Sequence, residues 1–217
     1  MKHLNFIIYI LFSINGFTQI NVENLNNQII EHKGYTLSYN ESCEQANWVK
    51  YMVTKIDLEK ERVSRTNNFR EDDSVSTGSA DLPDYKGSGY DRGHLAPAAD
   101  FAHDKNLMSE SFLMSNISPQ HPSFNRGIWK TLENRVREIA KIDDTVYVIT
   151  GGVLNRNKEV IGDSEVCVPE YFYKVILRKD GIFEAYLFKN EKADADLNSF
   201  KVDVARIKKL TGLKFKK

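Results

Sequence analysis

The stretch over residues 125–141 constrains the fold of this chain most. Ile128, Leu132, Val136 and Ile139 recur at spacings of four, four and three, while Lys130, Glu133, Arg135, Arg137, Glu138 and Lys141 fill the remaining positions. This spacing predicts an amphipathic helix with a single apolar face. Such a face has to be covered, and the segments able to cover it are strand-like. Residues 47–58, 146–150, 171–177 and 182–188 are rich in aromatic and β-branched side chains, which suit a pleated, half-buried surface. Lys179-Asp180-Gly181 joins the last two as a hairpin turn. Residues 202–210 predict a second amphipathic helix, stopped by Gly212. Strands and helices in this order predict an α+β fold, a mostly antiparallel central sheet flanked by helices. At 217 residues the chain suffices for one substantial core and is too short for two large ones.

The residues that carry chemistry cluster in front of the helix and at its start. Asp91-Arg92-Gly93-His94-Leu95-Ala96-Pro97 sets a histidine beside an arginine and a glycine. A histidine held near neutrality is suited to general-base work, and the arginine to contact with an anion. The glycine lets the backbone turn or approach a ligand, so His94 is expected to be presented, not packed. Asn125-Arg126-Gly127-Ile128-Trp129 follows, then Glu133. An asparagine at a helix start is a natural cap. It is equally a hard, neutral oxygen donor of the kind that suits Mg²⁺, an ion that keeps several waters and takes few protein ligands. Glu133 lies eight residues on, a little over two turns of a regular helix, which places it on roughly the same side.

Four ordered blocks, 84–97, Asn116-Ile117-Ser118-Pro119-Gln120, Phe124-Asn125-Arg126-Gly127-Ile128-Trp129 and Leu132-Glu133, together resemble the DNA/RNA non-specific endonucleases of the His-Me finger (ββα-metal) class, which includes endonuclease G. The resemblance spans about residues 48–215. It implies a ββα-metal active-site motif, with His94 as general base, Asn125 as the ligand of Mg²⁺ or another divalent ion such as Mn²⁺, and Glu133 steadying the ion's water. By the same resemblance Asn116 supports this shell, and Arg65 and Arg92 contact the phosphate, Arg70 being the rival of Arg65. DNA and RNA are the substrates it implies. Two other readings stay open at this point: a phosphodiesterase acting on another secreted substrate, and a catalytically silent nucleic-acid-binding relative.

Thirty basic and thirty acidic residues give a formal net charge of zero, so no global basic field announces a nucleic-acid partner. A local cationic groove is enough for an enzyme that must release its product, and Arg65, Arg70, Lys86, Arg92, Arg126 and Lys130 lie near the motif blocks. Residues 1–19 have the order of a secretory signal peptide, with Lys2 ahead of the apolar run 6–12 and then a polar stretch. The expected organisation is a signal peptide over 1–19, an N-terminal arm over 20–46 with a short extended piece at 35–39, and the endonuclease domain over 47–217, secreted or periplasmic and without stable membrane association. Export permits Cys43 and Cys167 to pair; structural thiols and one long-range bridge are both open. A protein inhibitor is a possible partner of such an enzyme. The sequence leaves its oligomeric state undetermined.

Overall fold

The computed structural model describes residues 21–23, 27–155 and 157–216. The predicted signal peptide lies outside these residues. Seven antiparallel strands form the main sheet. In chain order they are β1 (Gln28–Glu31), β2 (Tyr35–Asn40), β3 (Gln45–Thr54), then, past two strands outside this sheet, β6 (Thr145–Gly152), β7 (Tyr171–Leu177), β8 (Phe183–Lys189) and β9 (Lys201–Val202). Their spatial order is β9-β8-β7-β6-β3-β2-β1. The two strands outside it, β4 (Asp91–His94) and β5 (Ile117–Gln120), pair antiparallel, with His94 opposite Ile117 and Gly93 opposite Ser118. Asn21–Glu23 pairs with Lys214–Lys216, bringing the two ends of the described chain together.

Alternation explains why the central strands read as continuous apolar runs. In β6 and β7, Val146, Val148, Phe172 and Ile176 face one side, while Ile149, Tyr173, Val175 and Leu177 face the other. Both faces are covered. The first carries helix α1 (Lys130–Asp143) through Leu132, Val136, Ile139 and Ala140, together with Phe124, Ile128 and Trp129 ahead of it. The second carries helix α2 (Val204–Thr211) through Ile207, with Leu213 and Phe215 beyond it. Gly212, at φ 71°, ends α2 in the left-handed conformation that glycine adopts without steric cost. Burial of these side chains contributes roughly 1.5–3 kcal/mol each for the larger ones, and it fixes α1 against the sheet. The architecture is α+β, with a large antiparallel sheet and few helices.

Several expected boundaries move. The strand expected over 47–58 is β3, ending at Thr54, whose hydroxyl caps the short helix Lys55–Glu59. Within the stretch expected to form an N-terminal arm, the extended piece at 35–39 is β2, and both it and β1 are strands of the main sheet, with Leu37 and Tyr39 fully buried. Their side chains pack into the same core as α1. The helix expected over 125–141 is not continuous. A turn at Pro122–Phe124 leads into a π-helical turn at Asn125–Trp129, in which Gly127 leaves helical dihedrals (φ −103°, ψ −110°), and α1 proper starts at Lys130.

Cys43 and Cys167 form a disulfide. Beside it the Gln45 side chain donates to the Cys167 carbonyl and accepts from the Ser118 hydroxyl at 2.6 Å. The bridge is thereby tied to β5, one strand away from His94.

Candidate active site

The β4-β5 pair, the π-helical turn and α1 form a strand-strand-helix unit around His94. Gly93 allows its close packing: a Cβ at that position would lie 2.2 Å from the Gln120 side chain. Asn116 holds the chain beyond His94, accepting from Ala96 N at 2.9 Å and donating to the carbonyls of Ala96 and Ser111 at 2.9 Å each. Its side chain is fully buried, so it positions the His94 segment through backbone bonds. Trp129 Nε1 donates to the His94 carbonyl at 3.3 Å, joining that segment to the start of α1.

His94 is packed, not presented: its relative exposure is 8 %. Its ring meets Phe112 edge-on at 4.8 Å and Phe69 at 5.5 Å between centroids. The expectation of a presented ring rested on Gly93, whereas aromatics from two distant segments close over it. Arg92 stacks on Phe69 at 4.4 Å and Arg65 on Phe112 at 4.7 Å. Burial, then the positive charges of Arg65 and Arg92, lower the His94 pKa to about 3, so the ring is neutral at physiological pH. Its Nε2 is buried and takes part in no hydrogen bond with the described residues. An unsatisfied buried ring nitrogen costs about 1–3 kcal/mol, and such atoms call for an explanation, a catalytic role being one.

Arg65 and Arg70 part ways here. Arg65 sits over the aromatic cage of His94, whereas Arg70 donates to the carbonyls of Asn68 and Ser109. Arg126 pairs with Asp91 through Nε at 2.8 Å, its side chain remaining 73 % exposed. The same carboxylate accepts from Asn125 Nδ2 at 2.9 Å. Burial works to raise the Asp91 pKa, but the bonds from Arg126 and Asn125 outweigh it and hold it below the ordinary carboxylate range. Asn125 does not cap a helix. The cap of the preceding turn is the His121 ring, which accepts from Ser123 N. With Nδ2 committed to Asp91, the Asn125 Oδ1, a hard acceptor, takes no hydrogen bond among the described residues.

Glu133 stands in a charged cluster that includes residues the sequence reading passed over. Lys174 is fully buried on the α1 face of β7, between Phe172 and Ile176. Its ammonium bonds the Leu95 carbonyl and the Tyr51 hydroxyl at 3.3 Å each and lies 4.5 Å from the Trp129 ring centroid. Asp100, also buried, pairs with Arg137 at 2.6 Å. Burial pushes the Glu133 carboxyl up; Lys174, Arg137 and Arg65 oppose it, while Asp100 adds to it. Burial pulls Lys174 down against the attraction of Glu133 and Asp100. A charged residue at an inward position of an apolar strand is the signal that marks Lys174 in the sequence, and Arg137 is one helical turn beyond Glu133. The spacing of eight between Asn125 and Glu133 presumed an unbroken helix, and the break at Gly127 removes that argument.

The Asn125 amide oxygen is a hard, neutral donor that fits a divalent ion keeping most of its waters. Among the described residues no group of three or more His, Cys, Asp or Glu side chains is arranged to enclose a metal, and a Mg²⁺-type site needs no such cage.

The model of the DNA/RNA non-specific endonuclease family matches residues 15–217. Nuclease C1 of Cunninghamella echinulata var. echinulata is 36% identical over 205 residues, covering 86% of this chain and 81% of that protein. Human mitochondrial endonuclease G is 34% identical, covering 87% of this chain and 69% of that one. A solved structure of the EndoG/EndoGI complex, which addresses EndoG inhibition, superposes with a TM-score of 0.79 at 33% identity over 88% of this chain and 86% of that chain. The chain therefore belongs to the DNA/RNA non-specific endonuclease family and is a nuclease, a hydrolase of phosphodiester bonds.

Proposed function

We propose that this is an exported, non-specific endonuclease of DNA and RNA in which His94 is the general base and Asn125 the protein ligand of Mg²⁺ or Mn²⁺. The observation that carries the reading is His94 itself, buried, held neutral by its surroundings and left with an unbonded Nε2. With a pKa of about 3 the free ring is a weak base, so an anionic phosphate set against Arg65 and Arg92 has to raise its basicity before it takes the proton of the attacking water; the same arginines stabilise the charge that builds on the phosphate. Asn125 would hold a divalent ion through Oδ1, with Asp91 fixing the amide through Nδ2 and Glu133 as a further carboxylate for its waters, and the ion would supply neutralisation of the charge developing in the reaction. Asn116 keeps the His94 segment in place.

The signal-like residues 1–19, removed on export, and the disulfide, which persists in oxidising compartments, support an extracellular or periplasmic location. The relative captured with an inhibitor supports a protein inhibitor for this chain too. The test is digestion of duplex DNA, single-stranded DNA and RNA, with and without EDTA, alongside a lipid phosphodiester. Cleavage of all three nucleic acids that EDTA abolishes, with a loss of about two to four orders of magnitude in His94→Ala, is the expected result. Inertness toward nucleic acid would sink the reading, and a strong sequence motif at the cut sites would overturn its lack of base preference.

A further inference from the structure

The cleft beside the candidate site has a wall that phosphate binding does not explain. It encloses about 540 Å³ and is lined by Asn125, Asp91 and Arg92 at one end and by Phe69, Lys86 and Tyr90 among others. That volume falls within the roughly 300–1,000 Å³ of clefts that engulf small organic groups. Tyr90 immediately precedes β4, so its ring is two residues from Arg92. Its hydroxyl donates to Glu159 at 2.9 Å, and its backbone N–H is held by the Ser88 hydroxyl at 3.2 Å. The same ring also lines a second depression, of about 360 Å³, on the side of Val168 and Asn190. It is a partly exposed aromatic partition, fixed at its tip and at its base. The face of Phe69, by contrast, is already covered by the Arg92 guanidinium.

We infer that this cleft takes an unpaired nucleobase next to the scissile phosphate, stacked on Tyr90, so that the enzyme binds single strands more tightly than duplex. The inference rests on the proposed nuclease site, with which the cleft is continuous through Arg92 and Asn125. Lys86 and Arg92 provide cationic charge for the flanking phosphates, and the apolar remainder suits a planar heterocycle. In a duplex the bases are stacked inside and cannot enter such a slot without being unpaired, which is least costly where a base is already single-stranded. Stacking on an aromatic ring is tolerant of sequence because every base has a π face, so the slot selects strand state, not base identity.

The test is fluorescence anisotropy in EDTA, where cutting is suppressed, with a short single-stranded oligonucleotide, its duplex and an abasic strand of equal length. Base-aromatic stacking of the usual strength predicts that Tyr90→Ala weakens single-strand binding by about 5- to 100-fold, with a smaller loss on duplex, so that the ratio of the two affinities falls. Tyr90→Phe should retain single-strand affinity within about twofold. The abasic strand should bind wild type about as the intact strand binds Tyr90→Ala. Tyr90→Leu, which keeps apolar volume without a π face, stands in should the alanine variant misfold. Equal losses on single strand and duplex, or full affinity for the abasic strand, would overturn the slot. A protein that binds with the expected selectivity but does not cut with Mg²⁺ would fail the proposed function and keep the slot; one that cuts without dependence on the ring would do the reverse.

Discussion

The packing of His94 makes stability depend on pH in a way that can be calculated. Its pKa lies near 3 in the folded protein against an ordinary 6.5. Between these values the unfolded chain binds the proton and the folded one does not, so stability rises with pH across that window. The contribution is present in full above pH 6.5 and is lost progressively as pH falls toward 3. From pH 7 to pH 5 the unfolded histidine goes from mostly neutral to almost wholly protonated, which removes about 2 kcal/mol, from about 1.36 kcal/mol per pH unit. Many carboxylates also titrate in the lower part of this range, so the comparison has to be made against His94→Gln, in which they remain and the ring does not. Urea unfolding midpoints of both proteins at pH 7 and pH 5 provide the measurement. Wild type should lose about 2 kcal/mol more than the variant. Parallel losses would refute the account, because they would mean that the ring takes up a proton without leaving its cage.

Asn125→Ala should raise the Mg²⁺ concentration needed for half-maximal cleavage and cost about 0.5–1.5 kcal/mol of stability with the loss of its bond to Asp91; normal metal dependence in a Mg²⁺ titration would refute the ligand role. Lys174→Met strips the cation from the cluster that holds Glu133 and Asp100, and should lower unfolding stability by about 3–5 kcal/mol; a change under about 1 kcal/mol in urea titration would show that the cluster reorganises freely. Replacing Cys43 and Cys167 by serine opens a link across 124 residues and should lower stability by about 2–5 kcal/mol, read from thermal unfolding with and without reductant.

Residues that signal through periodicity were legible in the sequence. The apolar face of α1, the β7-β8 hairpin and the stop at Gly212 all follow from local pattern and turn chemistry, and the motif around His94 and Asn125 marked the site. Contacts set by tertiary structure were not legible. Phe69 and Phe112 stand 25 and 18 residues from His94, and nothing in their own neighbourhoods says that they close over its ring. β1 hides in a polar, Asn-rich stretch because it is the edge strand, where few residues besides Ile30 need be buried, whereas the extended piece at 35–39 was legible as β2. Lys174 interrupts an apolar strand, and its significance appears only when Asp100 and Glu133 are placed opposite. Arg126 has the right charge and the right place for phosphate, yet Asp91 claims it first.

The interruption at Gly127 also sets the angular phase between two parts of the molecule. In a regular α-helix each residue advances the chain by about 100° around the axis. The helix after Gly127 is keyed to the sheet by Leu132, Val136 and Ile139, while Asn125 before it is keyed to Asp91 and β4. The non-helical residue is the clutch that lets these two registers coexist. A one-residue deletion at Gly127 that restored a straight helix would turn Asn125 by about 100° relative to Glu133. Core and site would then both remain well formed, facing in directions that no longer match.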